Sequence, residues 1–209
     1  MILYLGTDPS HFAARGQVLH YPVIKLIPRD IPAHVFDDMS LYTHCIFTSK
    51  NTVSILKEKM LLEMLRDKII IAIGDVTRAR LEEEGFVVSA VAKKETQEGV
   101  VEILQGMLLD QAYIFLPHSA LARDVLERFL VEHRVRHQIC DLYDTVAQKL
   151  DPVPDLEMVE TIVFTSPSTV RAFFEIFSFM PPEKKAVCIG PVTQEVFDQK
   201  RREAYSQGS

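Results

Sequence analysis

The chain has 209 residues, room for one large or two small domains. Its 47% hydrophobic and 25% charged residues are those of a globular protein, not a disordered or fibrous one. A formal net charge of −6 excludes a nucleic-acid role driven by a basic surface, and three cysteines in no close-spaced motif suit a reducing compartment.

The chain opens on the apolar run Met1-Ile2-Leu3-Tyr4-Leu5-Gly6, which stops at Asp8 and Pro9. It has no basic n-region, so it does not read as a signal peptide. No apolar run approaches the ~20 residues of a membrane span, and the cytoplasm is the default location. Residues 2–6 read as a buried strand and residues 10–16 as a short helix capped by Ser10. Val18 to Ile27 is extended but interrupted by Pro22, which argues against a central strand. Tyr21 to Leu26 therefore reads as a connector. Residues 34–40 give no clear pattern.

A repeated unit follows. Cys45-Ile46 leads into Phe47-Thr48-Ser49-Lys50-Asn51-Thr52-Val53, and then Ile71-Ala72-Ile73-Gly74-Asp75-Val76-Thr77. The same order returns as Ile162-Val163, Phe164-Thr165-Ser166-Pro167-Ser168-Thr169-Val170, and Val187-Cys188-Ile189-Gly190-Pro191-Val192-Thr193. Each copy reads as strand, Ser-capped helix, strand, and a second helix starting near Thr. Pro167 suits a first helical position, and Gly85 a helix end. Parallel strands put all four turns at the carboxyl ends of the strands, where ligands bind. Each half then offers two helix N-termini to an anion. One such Ser or Thr would be an ordinary cap. Four at matched positions favour a site.

Between the copies, Phe86 to Val91 reads as a strand. Thr96 can cap a helix from Gln97 to Leu109 with Val100, Val101, Leu104 and Leu108 inward. Tyr113 to Leu116 is a strand. Ser119 can cap a helix buried through Leu121, Val125, Leu126 and Phe129. Val135 to Tyr143 is extended, and the proline-marked stretch 149–155 is a connector. Strands alternating with helices imply an α/β fold with parallel sheets. The second copy has only two clear strands, so its natural partner is the N-terminal strand. The expected division is a discontinuous domain of 1–24 plus 145–209, a central domain of 28–141, and linkers at 22–27 and 141–147.

The order of these motifs resembles the uroporphyrinogen-III synthase family, with Leu142-Tyr143-Asp144-Thr145-Val146 between the copies and Arg123-Asp124-Val125-Leu126 before it. The resemblance runs from about residue 1 to 200. It implies two flavodoxin-like parallel-sheet domains joined by a two-stranded linker, with the active site between them. It implies cyclisation of the linear tetrapyrrole hydroxymethylbilane to uroporphyrinogen III, with loss of water and inversion of ring D. On that resemblance the chain is expected to be a hydro-lyase of haem biosynthesis. By motif position the catalytic residue falls on Tyr143, and substrate-binding residues on Ser49, Thr77, Ser166 and Thr193. Lys50 and Arg123, near helix starts, are candidate carboxylate contacts, and Arg78 and Arg171 lie similarly. No metal or organic cofactor is expected; the partner is the small-molecule substrate, without nucleic acid or membrane, and a monomer is expected. Three features depart from the family's pattern. The chain ends soon after Thr193, where the family continues through another strand and helix, so the terminal domain reads as shortened. Thr7-Asp8-Pro9 stands where Thr-Arg-Pro is common, and Pro117-His118 ends the strand before Arg123.

Other chemistries fit less well. His133 and His137 have a helical metal-ligand spacing, but the helix is expected to end near His133 and no third ligand is evident. His44 has no acidic partner nearby in sequence. There is no phosphate-binding glycine loop and no Gly-x-Ser-x-Gly elbow at Ser49. The alternative to the synthase is a non-catalytic, degenerate two-domain binding module for a small anionic ligand.

Overall fold

A computed structural model describes residues 1–9, 12, 16–37 and 39–206, and the helix expected at 10–16 lies almost wholly outside them. In chain order the elements are β1 (Ile2–Tyr4), β2 (Val18–His20), β3 (Ile24–Pro28), α1 (Ala33–Asp37), β4 (His44–Phe47), α2 (Lys50–Glu58), β5 (Ile69–Ala72) and α3 (Asp75–Glu83). Then follow β6 (Ala90–Val91), α4 (Gln97–Gln105), β7 (Tyr113–Ser119), α5 (Val125–Glu132) and β8 (Arg136–Ala147). The second copy of the repeat gives β9 (Thr161–Phe164), α6 (Pro167–Phe177), β10 (Lys185–Cys188) and α7 (Pro191–Ser206).

The chain divides into two compact units, one of Met1–Ile27 with Thr145–Ser209 and one of Pro28–Asp144. The first holds a four-stranded sheet in the order β10-β9-β1-β2, parallel throughout. Its order reverses between β1 and β9. Leu3, Leu5, Ile162, Phe164, Val170, Phe173 and Phe197 are buried in one cluster on this sheet. Phe173 meets Phe164 edge-on at 5.3 Å. Tyr4, Phe12 and Val163 form a smaller cluster, as side-chain alternation along a strand requires.

The second unit is built on a six-stranded sheet in the order β3-β8-β7-β4-β5-β6, with β4 to β8 all parallel. Here the order reverses between β4 and β7. β4 and most of β7 are buried, as expected for central strands of a sheet covered on both faces. Ile46, Ile71, Val100, Leu104, Ile114, Leu126 and Leu130 form this core. The chain crosses between units along β3 and the end of β8, which are neighbours in the sheet order.

Several local expectations change in the structure. Tyr21 to Leu26 is not wholly a connector, because Ile24 starts β3; as an edge strand, β3 tolerates the nearby Pro22. The 86–91 strand shrinks to Ala90–Val91. Helix α4 stops at Gln105 because Gly106 ends it, leaving Leu108 94% exposed. Strand β7 runs on through Pro117 to Ser119; beyond Phe115 it pairs only with β8, so a residue without an N–H is tolerated there. Helix α5 consequently starts at Val125, not after Ser119, and Leu121 is exposed.

Candidate functional site

The end of β4 sets the site. Ser49 is extended (φ −163°, ψ 143°) and its Oγ accepts from the Asn51 N–H at 3.1 Å, so the residue caps α2. Lys50 opens that helix. Three residues on from Ser49, Thr52 is completely buried and its Oγ1 has no hydrogen-bond partner of good geometry. Strand β7 ends beside β4 in Ser119, whose Oγ accepts from the Leu121 N–H at 3.2 Å. The sheet order reverses at these two strand ends, and in such sheets ligands bind at that point.

Tyr143 enters from β8. The β7–β8 register pairs His118 with Asp141 but Ser119 with Tyr143, so Leu142 is an extra residue in β8. A bulge of this kind re-aims the side chains beside it. The Tyr143 phenol is buried, and it lies within hydrogen-bonding range of Ser49, Asn51, Thr52 and Ser119. Burial pushes its pKa above the ordinary tyrosine value, while those four side chains pull the other way by favouring the phenolate. Burial is the larger effect, so the phenol keeps its proton at neutral pH.

Charged groups hold the strand residues on either side of Tyr143. The Arg29 guanidinium donates to both carboxylate oxygens of Asp144, at 2.8 and 2.6 Å, and to Asp141 Oδ2 at 3.1 Å. The Arg29 N–H donates to the Leu142 carbonyl at 2.8 Å. His118 is buried with its Nε2 3.1 Å from Asp141 Oδ1, although the two are not aligned for a hydrogen bond. Burial lowers the His118 pKa, opposed by Asp141 and Glu127.

Each of the remaining expected residues has its own local setting. Thr77 is the third residue of α3 and is not its cap; Gly74 holds that position. The Glu95 carboxylate accepts from the Asp75 N–H at 3.1 Å, so a group of the chain itself sits on this helix start. A Cβ on Gly74 would come within 2.5 Å of the Glu95 carboxyl carbon. Gly74 is extended, a conformation open to any residue, so a Cβ there would chiefly displace the Glu95 side chain. Arg123 lies in the turn before α5 and not in the helix, and grips Glu98 with two bonds of 2.6 and 2.8 Å. That fork holds the Glu98 carboxyl down at about 2. Arg78 pairs with Asp75. Ser166 caps α6 through a reciprocal pair with Thr169. Thr193, like Thr77, is the third residue of its helix and is buried, following Gly190 at φ +81°.

The family model described as uroporphyrinogen-III synthase HemD matches residues 12–205. The chain belongs to the uroporphyrinogen-III synthase family. Its fold is that of the uroporphyrinogen-III synthetase from Helicobacter pylori, with a TM-score of 0.66 over 100% of this chain and 89% of that one, at 20% identity. A mutant uroporphyrinogen III synthase from the extremely thermophilic bacterium Thermus thermophilus gives 0.60 over 95% and 88%, at 18% identity. A Methanothermobacter thermautotrophicus protein provisionally named a uroporphyrinogen-III synthase is 27% identical over 71% of this chain. The match spans 65% of that curated relative's length. Among the described residues, no helix is long and apolar enough to cross a membrane.

The family motif points to Tyr143 and Ser49, whereas Asn51, Thr52 and Ser119 emerge as neighbours of the phenol, and Arg29 and His118 as partners of the strand residues around Tyr143, only in the fold. Thr52 carried a signal, standing three residues after a capping Ser, where a helix's first turn faces the strand ends. Arg29 carried none, since its partners lie more than a hundred residues away.

Proposed function

We propose that the chain is a uroporphyrinogen-III synthase that cyclises hydroxymethylbilane to uroporphyrinogen III, losing water and inverting ring D. The observation that carries this is the protonated Tyr143 phenol, buried beside the polar side chains of Ser49, Asn51, Thr52 and Ser119. As the terminal C–O bond of the bilane breaks, the phenol gives its proton to the departing hydroxyl, and water leaves. Ser49, Asn51, Thr52 and Ser119 then stabilise the phenolate. The bilane cation, delocalised over its pyrroles, closes the ring, and the proton shed by the attacking pyrrole balances the one that Tyr143 gave. Hydroxymethylbilane also closes by itself to the wrong isomer, so positioning of the terminal rings is the protein's main task.

The substrate is rich in carboxylates and the protein is net acidic, so binding falls to local positive potential. Ser49, Lys50, Thr77, Ser166 and Thr193 are the proposed contacts at or near helix starts. Arg123 is a further proposed contact, which has to exchange Glu98 for a substrate carboxylate. The free thiols of Cys45, Cys140 and Cys188 suit the reducing cytoplasm, and the protein is expected to act as a monomer.

The test is an assay with freshly made hydroxymethylbilane and chromatographic separation of the product isomers. Type III product is expected. Binding of the bilane with only the spontaneous isomer formed would make the protein a binding module.

A further inference from the structure

We propose that Arg29 is a positioning residue for Tyr143, holding the bulged segment of β8 so that the phenol stays among Ser49, Asn51, Thr52 and Ser119. The inference rests on the Tyr143 role proposed above.

One residue takes hold of three neighbours of Tyr143. The Arg29 guanidinium grips Asp144, the next residue, with a two-bond fork of 2.8 and 2.6 Å. A third bond of 3.1 Å goes to Asp141, two residues before Tyr143. The Arg29 backbone N–H takes the carbonyl of Leu142, the extra residue of the bulge, at 2.8 Å. A bulge disrupts the ladder locally and leaves its extra residue unpaired there, so contacts from outside the ladder can hold the bulged segment in place. In the regular register Ser119 would face Leu142, not Tyr143. Moving Tyr143 by one residue would turn its side chain to the other face of the sheet. The planar fork of arginine fixes both distance and orientation, which a lysine ammonium does not.

The same ion pairs sit at the surface. The side chains of Arg29, Asp141 and Asp144 are 42%, 44% and 37% exposed. Exposed pairs contribute little to global stability. A grip made of three contacts, each weak for folding, around the one buried phenol of this site is explained by local register.

The experiment compares Arg29→Gln, Arg29→Lys and Asp144→Asn with the wild type. The Tyr143 ring is followed by NMR of protein carrying ¹³C-labelled tyrosine, its signal assigned by its absence in Tyr143→Phe. In Arg29→Gln and Asp144→Asn that signal is expected to shift or split while the other tyrosine signals stay, with a melting temperature close to wild type. Turnover is expected to fall about tenfold with KM within twofold, and Arg29→Lys to recover little of it. Placed in Tyr143→Phe, Arg29→Gln is expected to cost nothing further, because the residues act as one unit. An unmoved Tyr143 signal overturns the proposal, whatever the turnover. So does a raised KM that persists in the Tyr143→Phe background, which would make Arg29 a direct substrate contact. A shifted signal with unchanged turnover leaves Arg29 as the positioning residue and removes Tyr143 from catalysis.

Discussion

At the scale of single residues, two titratable groups carry separable consequences. Tyr143→Phe is expected to lower turnover by roughly 10²–10⁴-fold, the usual contribution of a general acid. The ring still fills its buried place, so the melting temperature is expected to hold; steady-state rates beside a melt check both. Wild-type turnover would reduce Tyr143 to a wall. His118 is buried and its pKa is lowered in the fold. The unfolded chain therefore binds a proton that the folded one refuses. Stability is expected to be fully present above the ordinary imidazole pKa of about 6.5 and to decline as pH falls below it. Melts at intervals from about pH 7.5 down to 5 should show this slope in the wild type and a shallower one in His118→Gln. An equal slope in both would assign the acid sensitivity to other groups.

At the scale of elements, the two halves of the repeat share a plan but differ in how helix starts are used. Ser49 and Ser166 are true caps, each accepting a backbone N–H of its helix. Thr77 and Thr193 lie inside their helices, after glycines that supply no side chain. Ser166→Ala is expected to cost about 1 kcal/mol, because it removes a cap and half of a reciprocal pair. Thr193→Ala leaves α7 its backbone N–H groups and removes no cap. It is expected to weaken binding of uroporphyrinogen III modestly while folding normally. Titration with that product beside a denaturant melt separates the two: lowered stability at unchanged affinity would make Thr193 a packing residue only. The start of α3 differs from that of α7 because Glu95 rests on it against Gly74, whereas a Cβ on Gly190 would meet nothing within 4 Å.

At the scale of the whole molecule, the chain ends cooperate in one unit. Strand β1 lies between β9 and β2, with Leu3 fully buried in the cluster around Phe164 and Phe173. Leu3→Ala is expected to cost about 2–5 kcal/mol, the range for truncating a core leucine. If the two units are separate folding domains, as we propose, hydrogen exchange in this variant should rise across Met1–Ile27 and Thr145–Ser206 and remain low in the core of Pro28–Asp144. A uniform loss of protection would show one cooperative body.

The alternation of strands and helices, the repeat, and the capping of α2 and α6 were legible in the order of residues alone. These are local matters, settled by apolar runs and by hydrogen bonds that reach two or three residues, as from Asn51 to Ser49. A motif also marked Tyr143. What surrounds that phenol emerged from the fold. The extension of β7 to Ser119 depended on which strand lay beside Pro117, and the facing of Tyr143 on one extra residue in β8. The grip of Arg29 on Asp141 and Asp144 joins strands distant in the chain. Such pairings follow from which strands become neighbours and in what register. No run of adjacent residues encodes that, because it is fixed by burying both faces of a whole sheet at once.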